Sequence, residues 1–316
     1  MAGRIVVVGS LNMDLVACAS RIPVVGETIT GYRYFDEPGG KGANQAYAAA
    51  KLGGQVAMLG RVGDDEFGDR MRSNLQEIGC EVSGLVTIPH CTSGIALIFV
   101  ADSGHNSIII VPGANDLFSA ADVEAAREAL RGASLVLLQL ENPLPTVLAA
   151  ARLAREAGAR VVLDPAPAPS SAHALPEELF RQVDILTPNE TEAAILAGLA
   201  PGRLDPPRAG DIGRELRDRG PRAVIVKLGE QGCVLVADGE AQHLPVPQVA
   251  AVDTTAAGDV FNAGLAVALS EGRSLEDACR FANCAAAVSV TRLGTQVAAP
   301  SRQEVEEFQR LPIVDC

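Results

Sequence analysis

Tryptophan is absent from this 316-residue chain, and aromatic residues together make up only 3% of it. The core must therefore be built from Ala, Val, Leu and Ile. Positive charge is also scarce: 26 Lys and Arg stand against 39 Asp and Glu, for a formal net charge of −13. That balance argues against non-specific nucleic-acid binding and against docking on an anionic membrane. It leaves a nucleotide open, because a nucleotide needs only a local anion site. No apolar run approaches membrane-spanning length. The seven cysteines (18, 80, 91, 233, 279, 284 and 316) are odd in number and show no CxxC spacing. They read as reduced thiols of a cytosolic chain. Cys279 and Cys284 have no His or Cys neighbours to complete a metal set, so they read as packing residues. Met1-Ala2-Gly3-Arg4 leads straight into a strand, and no secretory signal is expected.

What is present is an ordinary globular composition, 48% hydrophobic and 21% charged, in a chain long enough for one large α/β domain with an appendage. Ile5-Val6-Val7-Val8-Gly9 predicts a buried strand. Thr28 to Phe35 predicts an exposed strand or hairpin, and Gly54 to Gly60 another buried strand, followed by a helix from Phe67 to Ile78. Two β-branched runs, Thr92–Val100 and Asn106–Val111, flank the hairpin signal Asp102-Ser103-Gly104-His105.

Regular alternation follows. Helices are expected at 120–131, 145–156, 190–196, 213–219, 260–270 and 275–293, and strands at 135–140, 160–163, 183–186 and 223–227, with a strand pair from Gln231 to Val236. Pro165 to Pro169 and Pro201 to Gly210 read as loops. Alternating β and α elements predict a mostly parallel sheet with helices on both faces. The β-only pieces, about residues 10–35 and 92–111, break that rhythm and predict a small second sheet contributed by two insertions.

The most informative segment is Asp253-Thr254-Thr255-Ala256-Ala257-Gly258-Asp259, which runs into the small apolar stretch Val260 to Leu269. This places Ala256-Ala257-Gly258 at a helix N-terminus, where unpartnered amides and the macrodipole favour an anion. Asp259 is then a carboxylate beside that anion site. It can accept a proton from an attacking hydroxyl, or it can simply cap the helix. Gly39-Gly40-Lys41-Gly42-Ala43-Asn44-Gln45-Ala46 has the same double character. Lys41 and Asn44, three apart at a helix start, can face one ligand; each can also be an exposed lysine or a cap. Asn12 and Asp14 alternate after the first strand, so they share a face and suit a polyol, or else shape a turn. Glu141 ends a predicted strand, where open parallel sheets bind ligands. Asn189 and Glu192, three apart at a helix start, form a capping box, reach a hydrated Mg2+, or do both.

The two glycine- and alanine-rich segments resemble the two signatures of the ribokinase family of sugar kinases, with Gly60 to Gly68 continuing the first. The resemblance runs over about residues 4–300. It implies a single ribokinase-like domain over 1–316, an α/β body whose small sheet forms a lid over the sugar, and an ATP-dependent kinase. The implied reaction is phosphorylation of D-ribose at its 5-hydroxyl to give ribose 5-phosphate and ADP. Alternative substrates are 2-deoxyribose, another pentose or a nucleoside. A non-catalytic sugar- or nucleotide-binding protein is the reading outside the enzyme class, and the intact Asp259 and its small neighbours count against it.

Carried over position by position, the resemblance makes Asp259 the general base and Ala256, Ala257 and Gly258 the backbone anion hole. It assigns the sugar to Asn12, Asp14, Gly40, Lys41, Asn44 and Glu141, with Asp259. It assigns ATP to Asn189, Lys227, Gly229, Glu230, Gly232, Ala257, Gly258 and Asn283, and Mg2+ to Asn189 and Glu192 through water. Relatives carry Thr at Lys227, whose part is therefore left between phosphate pairing and simple exposure. The resemblance also implies an activating K+ held by the Asp253 side chain and the carbonyls of Thr255, Ser289, Arg292 and Gly294. Ala298 stands where the family typically has a Ser hydroxyl, so weaker K+ binding is expected. The implied partners are the sugar and ATP, with no nucleic acid and no membrane. Lid sheets of relatives pack together, which implies a homodimer, and the implied location is the cytoplasm.

Overall fold

A computed structural model describes residues 2–310; Met1 and Cys316 lie outside the described residues. The element boundaries follow from where apolar runs find ladder partners. In the first half these are β1 (Arg4–Val8), β2 (Asn12–Ala19), β3 (Arg33–Gly39), α1 (Lys41–Lys51), β4 (Gln55–Gly63), α2 (Glu66–Glu77), β5 (Glu81–Ile88), β6 (Gly94–Ala101) and β7 (Asn106–Val111). Then come α3 (Ala120–Ala125), α4 (Arg127–Leu130), β8 (Ala133–Leu138), α5 (Leu144–Glu156), β9 (Arg160–Leu163), α6 (Glu177–Gln182), β10 (Ile185–Leu186), α7 (Glu190–Leu196) and α8 (Pro206–Asp218). The chain closes with β11 (Ala223–Lys227), β12 (Cys233–Ala237), β13 (Glu240–Leu244), α9 (Ala257–Ser270), α10 (Leu275–Ser289) and α11 (Arg302–Phe308).

The large sheet has nine strands in the order β13-β12-β11-β10-β9-β8-β1-β4-β5. From β11 to β5 neighbouring strands are parallel, and β12 and β13 add an antiparallel edge. Period-two alternation splits each buried strand between two cores. Ile5 and Val7 of β1 join the core under α1, α9 and α10, and Val6 and Val8 join the one under α5 and α8. The small sheet has the order β3-β2-β6-β7. Its β2–β6 pairing is parallel and its outer pairings are antiparallel.

Several expectations need correction. The predicted strand from Thr28 does not begin until Arg33: the Tyr32 N–H donates to the Cys18 carbonyl at 3.0 Å, but the ladder with β2 starts only at the Arg33–Cys18 pair. Residues 206–210, expected as loop, are the first turn and more of α8. Pro206 and Pro207 occupy helix positions that need no donor, and the Asp205 carboxylate accepts from the Arg208 N–H at 2.8 Å. The helix expected over 120–131 is broken at Ala126, and that over 275–293 ends at Ser289. Strand β5 and helix α11 were not anticipated. In β5 only Val82 and Leu85 are buried, and α11 is short and polar on most faces.

Candidate active site

The chemistry-bearing residues lie along the carboxyl edge of the parallel strands, where open sheets leave a crevice. Ser10 and Asn12 follow β1, Gln139 and Glu141 follow β8, Asp164 follows β9, Asn189 follows β10, and Lys227 ends β11. Because these strands are neighbours, residues more than 200 positions apart in sequence form one row.

On the side expected to take the sugar, α1 begins at Lys41 with Gly40 as its N-cap at φ 86. A Cβ on Gly40 would sit 2.6 Å from the Asn12 nitrogen, so glycine alone lets α1 start against the β1–β2 connection. The Glu141 carboxylate is held here by three donors: the Ser10 hydroxyl, the Lys41 N–H at 3.2 Å and, at the limit of contact, Asn12 Nδ2 at 3.5 Å. Asn115 fixes the Asn12 amide. Asn115 Nδ2 donates to Asn12 Oδ1 and to the Leu11 carbonyl, both at 2.9 Å, and its Oδ1 accepts from the Leu11 N–H. Asp14, buried on β2, lies over Gly39. Burial first, then the neighbouring Glu37, Glu141 and Asp259 carboxylates, push the Asp14 carboxyl up to about 7, with Lys41 opposing.

Asp259 lies in the first turn of α9, 5% exposed. Asn44 Nδ2 donates to its Oδ2 at 3.1 Å, and Gln45 Nε2 donates to its Oδ1 at 3.0 Å. Burial pushes its pKa up to about 6, against the pull of Lys41, while Asp164 adds to the rise and the two amide donors restrain it. The group is thus poised close to neutrality, as a proton acceptor should be. Lys41 is desolvated, which would lower it, but Asp259, Asp164, Glu141 and Glu192 outweigh that and keep it cationic.

Ala256 caps α9 in the left-handed region, at φ 58. The Ala257 N–H donates to Thr254 O at 3.3 Å, and the Gly258 amide follows in the first turn, where helix geometry supplies no acceptor. A Cβ on Gly258 would meet only Lys227 Nζ, at 3.4 Å, so the ammonium lies directly beside the anion loop. That ammonium donates to Asp164 Oδ1 at 2.8 Å. Lys227 is therefore not a free surface lysine.

A cleft opens on the far side of this loop. Lys227, Gly229, Glu230, Gly232, Ala257, Gly258 and Asn283 line it, with Val246, Phe261 and Val290 among its apolar walls. Gly232 has φ 86, and a Cβ there would fall 2.2 Å from Leu244 O. The same carbonyl accepts from Asn283 Nδ2 at 2.9 Å, which pins the amide to the cleft wall. Asn189 does not line the cleft but bridges to Lys227 through the sheet.

Asn189 and Glu192 form a complete capping box. Asn189 Oδ1 accepts from the Glu192 N–H at 2.9 Å, and the Asn189 N–H donates to Glu192 Oε2 at 2.8 Å. Glu192 is buried, and its carboxyl is raised first by that burial, with Lys227 opposing and Asp164 reinforcing. The donors are hard oxygens, as Mg2+ requires, but two residues are too few to replace its water shell. No cluster of three or more His, Cys, Asp or Glu that could hold a metal occurs among the described residues.

Of the residues expected to hold a monovalent cation, Asp253 contacts Thr255 and Gly294. Asp253 Oδ2 accepts from the Gly294 N–H at 3.0 Å, and Oδ1 from Thr255 N–H and Oγ1. The Asp253 N–H reaches Val290 O at 3.2 Å, and the Arg292 N–H reaches Ser289 O at 3.2 Å. Ala298 is buried close by in sequence and offers only its carbonyl.

Sequence reasoning missed Gln45, Asp164, Asn115 and Gln139. Gln45 stood in the quoted signature next to Asn44. Asp164 follows a strand as Glu141 does, and the same rule would have found it. Asn115 and Gln139 carried no local signal.

Comparison with known proteins bears on this geometry. Residues 2–302 match the pfkB family of carbohydrate kinases. A ribokinase of Haemophilus influenzae is 40% identical over 308 residues, covering 98% of this chain and 99% of that protein. A deoxyribokinase of Salmonella typhi is 39% identical over 307 residues, covering 97% and 99%. The structure of Arabidopsis thaliana ribokinase complexed with ribose and ATP superposes with a TM-score of 0.90 at 35% identity, covering 99% of this chain and all of that one.

Proposed function

The chain belongs to the pfkB family of carbohydrate kinases, and from that premise we propose that it transfers the γ-phosphoryl group of ATP to the 5-hydroxyl of D-ribose. The observation that carries the reading is the buried Asp259 carboxylate, poised at about 6 in the same helical turn as the small-residue anion loop. Asp259 takes the proton of the sugar hydroxyl as its oxygen attacks phosphorus. The new O–P bond forms while the bond from phosphorus to the ADP oxygen breaks. The amides of Ala257 and Gly258, with Lys227 beside them, face the charge that develops on the transferring group. Asn12, Asp14, Gly40, Lys41, Asn44 and Glu141 bind and orient the sugar. Lys227, Gly229, Glu230, Gly232 and Asn283 hold the nucleotide, and Asn189 contributes from the adjoining strand end.

Asn189 and Glu192 would hold a hydrated Mg2+, which would neutralise phosphate charge. The Asp253 carboxylate and the carbonyls of Thr255, Ser289, Arg292 and Gly294 would hold K+, and Ala298, which supplies no hydroxyl, would leave that site weaker. The small sheet, built from segments near 10–35 and 92–111 of a single domain, acts as the lid. A second copy covers its outer strand: β7 is exposed throughout, and its Ile108, Ile109, Ile110 and Val111 form an apolar edge that favours pairing. We place the protein in the cytoplasm, where ATP is supplied and thiols stay reduced.

The 39% identity to a deoxyribokinase makes 2-deoxyribose the second substrate to test. The assay is ADP release from Mg-ATP and K+ with D-ribose, 2-deoxyribose or a nucleoside, against an Asp259→Asn control. Ribose-dependent release that drops about a thousandfold or more in the variant is expected, the scale of losing the acid–base group and its orientation together. Release no faster than the sugar-free rate would sink the ribose assignment.

A further inference from the structure

We infer that Gln45 is a positioning residue for the proton-accepting carboxylate: its amide bridges Asp259 to the second buried carboxylate, Asp164, and through Asp164 to Lys227. The inference rests on the reading of Asp259 as the base. Gln45 is completely buried on a helix face it shares with Gly42, Ala48 and Ala49. An amide among alanines is expensive to bury unless its hydrogen bonds are made. Here they are all made. Nε2 donates one proton to Asp259 Oδ1 at 3.0 Å and the other to Asp164 Oδ2 at 3.1 Å. Oε1 accepts from Gln139 Nε2 at 2.7 Å. The amide cannot be turned over, because its oxygen would then face two carboxylates. Gln139 gives up part of its own hydrogen bonding to this arrangement: its Oε1 is buried without a partner.

The bridge does two things. It fixes the Asp259 rotamer, since Gln45 holds Oδ1 while Asn44 holds Oδ2. It also places the donor edge of one neutral amide between two carboxylates in a dry site. The charged groups that face Asp259 are Lys41 of α1, Asp164 after β9 and Asp14 of β2. Lys41 in turn faces Glu141 and Glu192, and Lys227 is held by Asp164. Among the described residues, Gln45 is the one neutral group donating to both carboxylates. It is completely buried and does not line the nucleotide cleft, so its effect is exerted through Asp259.

The test is a carboxyl 13C NMR titration of the substrate-free protein, with Asp259→Asn assigning the resonance, run on wild type and Gln45→Leu. The Asp259 midpoint is expected to rise by about one to two pH units, the scale of losing a hydrogen bond to a charged group. The acid limb of kcat should move by the same amount, with KM for sugar and for ATP within about threefold of wild type. Gln139→Leu, which frees the bridging amide without removing it, should shift the midpoint in the same direction by less, and it is the variant read if Gln45→Leu does not fold. An unmoved midpoint in the folded variants would overturn the inference, as would KM rises with an unmoved limb. The titration needs no turnover, so a wild type that fails to phosphorylate ribose would refute the substrate while leaving Gln45 still judged.

Discussion

The two halves of the site are built on opposite principles. The base cluster is buried and charged: Asp14, Asp164, Asp259 and Glu192 are each under 10% exposed and come from different strands and helices, with Lys41 and Lys227 between them. The nucleotide cleft is open and largely apolar, and much of its polar chemistry comes from backbone at Gly229, Gly232, Ala257 and Gly258. One side works by charge held out of water, the other by shape and close backbone approach. A change of charge should therefore be felt on the first side, and a change of backbone freedom on the second.

The sharpest way to break that contrast is Gly232→Ala. It forces a side chain onto φ 86 and onto Leu244 O at 2.2 Å, at the wall that positions Asn283. KM for ATP should rise about tenfold or more, with a stability loss of about 2–3 kcal/mol, while KM for ribose changes little. Equal rises in both KM values would show that the halves are not separable.

A medium effect is expected from Asp14→Asn. Asp14 stands at about 7 in the fold and near 4 when unfolded, so between those values the folded state keeps a proton that the unfolded chain releases. Stability contributed by this group is present below about pH 4 and lost as pH rises through 7. Asp259, at about 6, adds a loss of the same sign over a narrower window. Asp14→Asn should flatten the fall of Tm between pH 4 and 7 and raise Tm by a few degrees at pH 8, an order-of-magnitude expectation. KM for ribose should rise at the same time. Thermal melts across pH check the first part, and steady-state kinetics the second.

The smallest expected effect is Ala256→Gly. Ala256 holds φ 58, a conformation that costs a non-glycine residue about 1 kcal/mol. Glycine relieves that strain but adds freedom to the unfolded chain, so a net gain of about 0.5 kcal/mol is expected. The anion loop acts through backbone, so kcat should stay within about twofold. A large kcat change would mean that the Ala256 methyl touches the phosphate.

Legibility in the sequence followed the same division. The anion loop and Asp259 could be read because the chemistry and the helix start are contiguous in the chain. The α/β alternation could be read because buried parallel strands are short apolar runs with helices between them. Residues 206–210 were misjudged because two prolines usually end structure, yet after an Asp cap they begin a helix. Gln45 and Asp164 show the limit. Gln45 stands in a signature segment and Asp164 at a strand end, yet the bond that gives them meaning spans 119 positions.

By itself, the sequence determined the fold class, the family signatures, and the residues that cap helices or end strands, since these depend on local periodicity and backbone stereochemistry. Only the tertiary structure decided which of those residues meet. Strand order brings Asp164, Gln45, Asp259 and Lys227 into one dry cluster, and burial there moves Asp14 to about 7 and Asp259 to about 6. Proton affinity depends on which charges are near and how much water is far, and no stretch of chain carries that information locally.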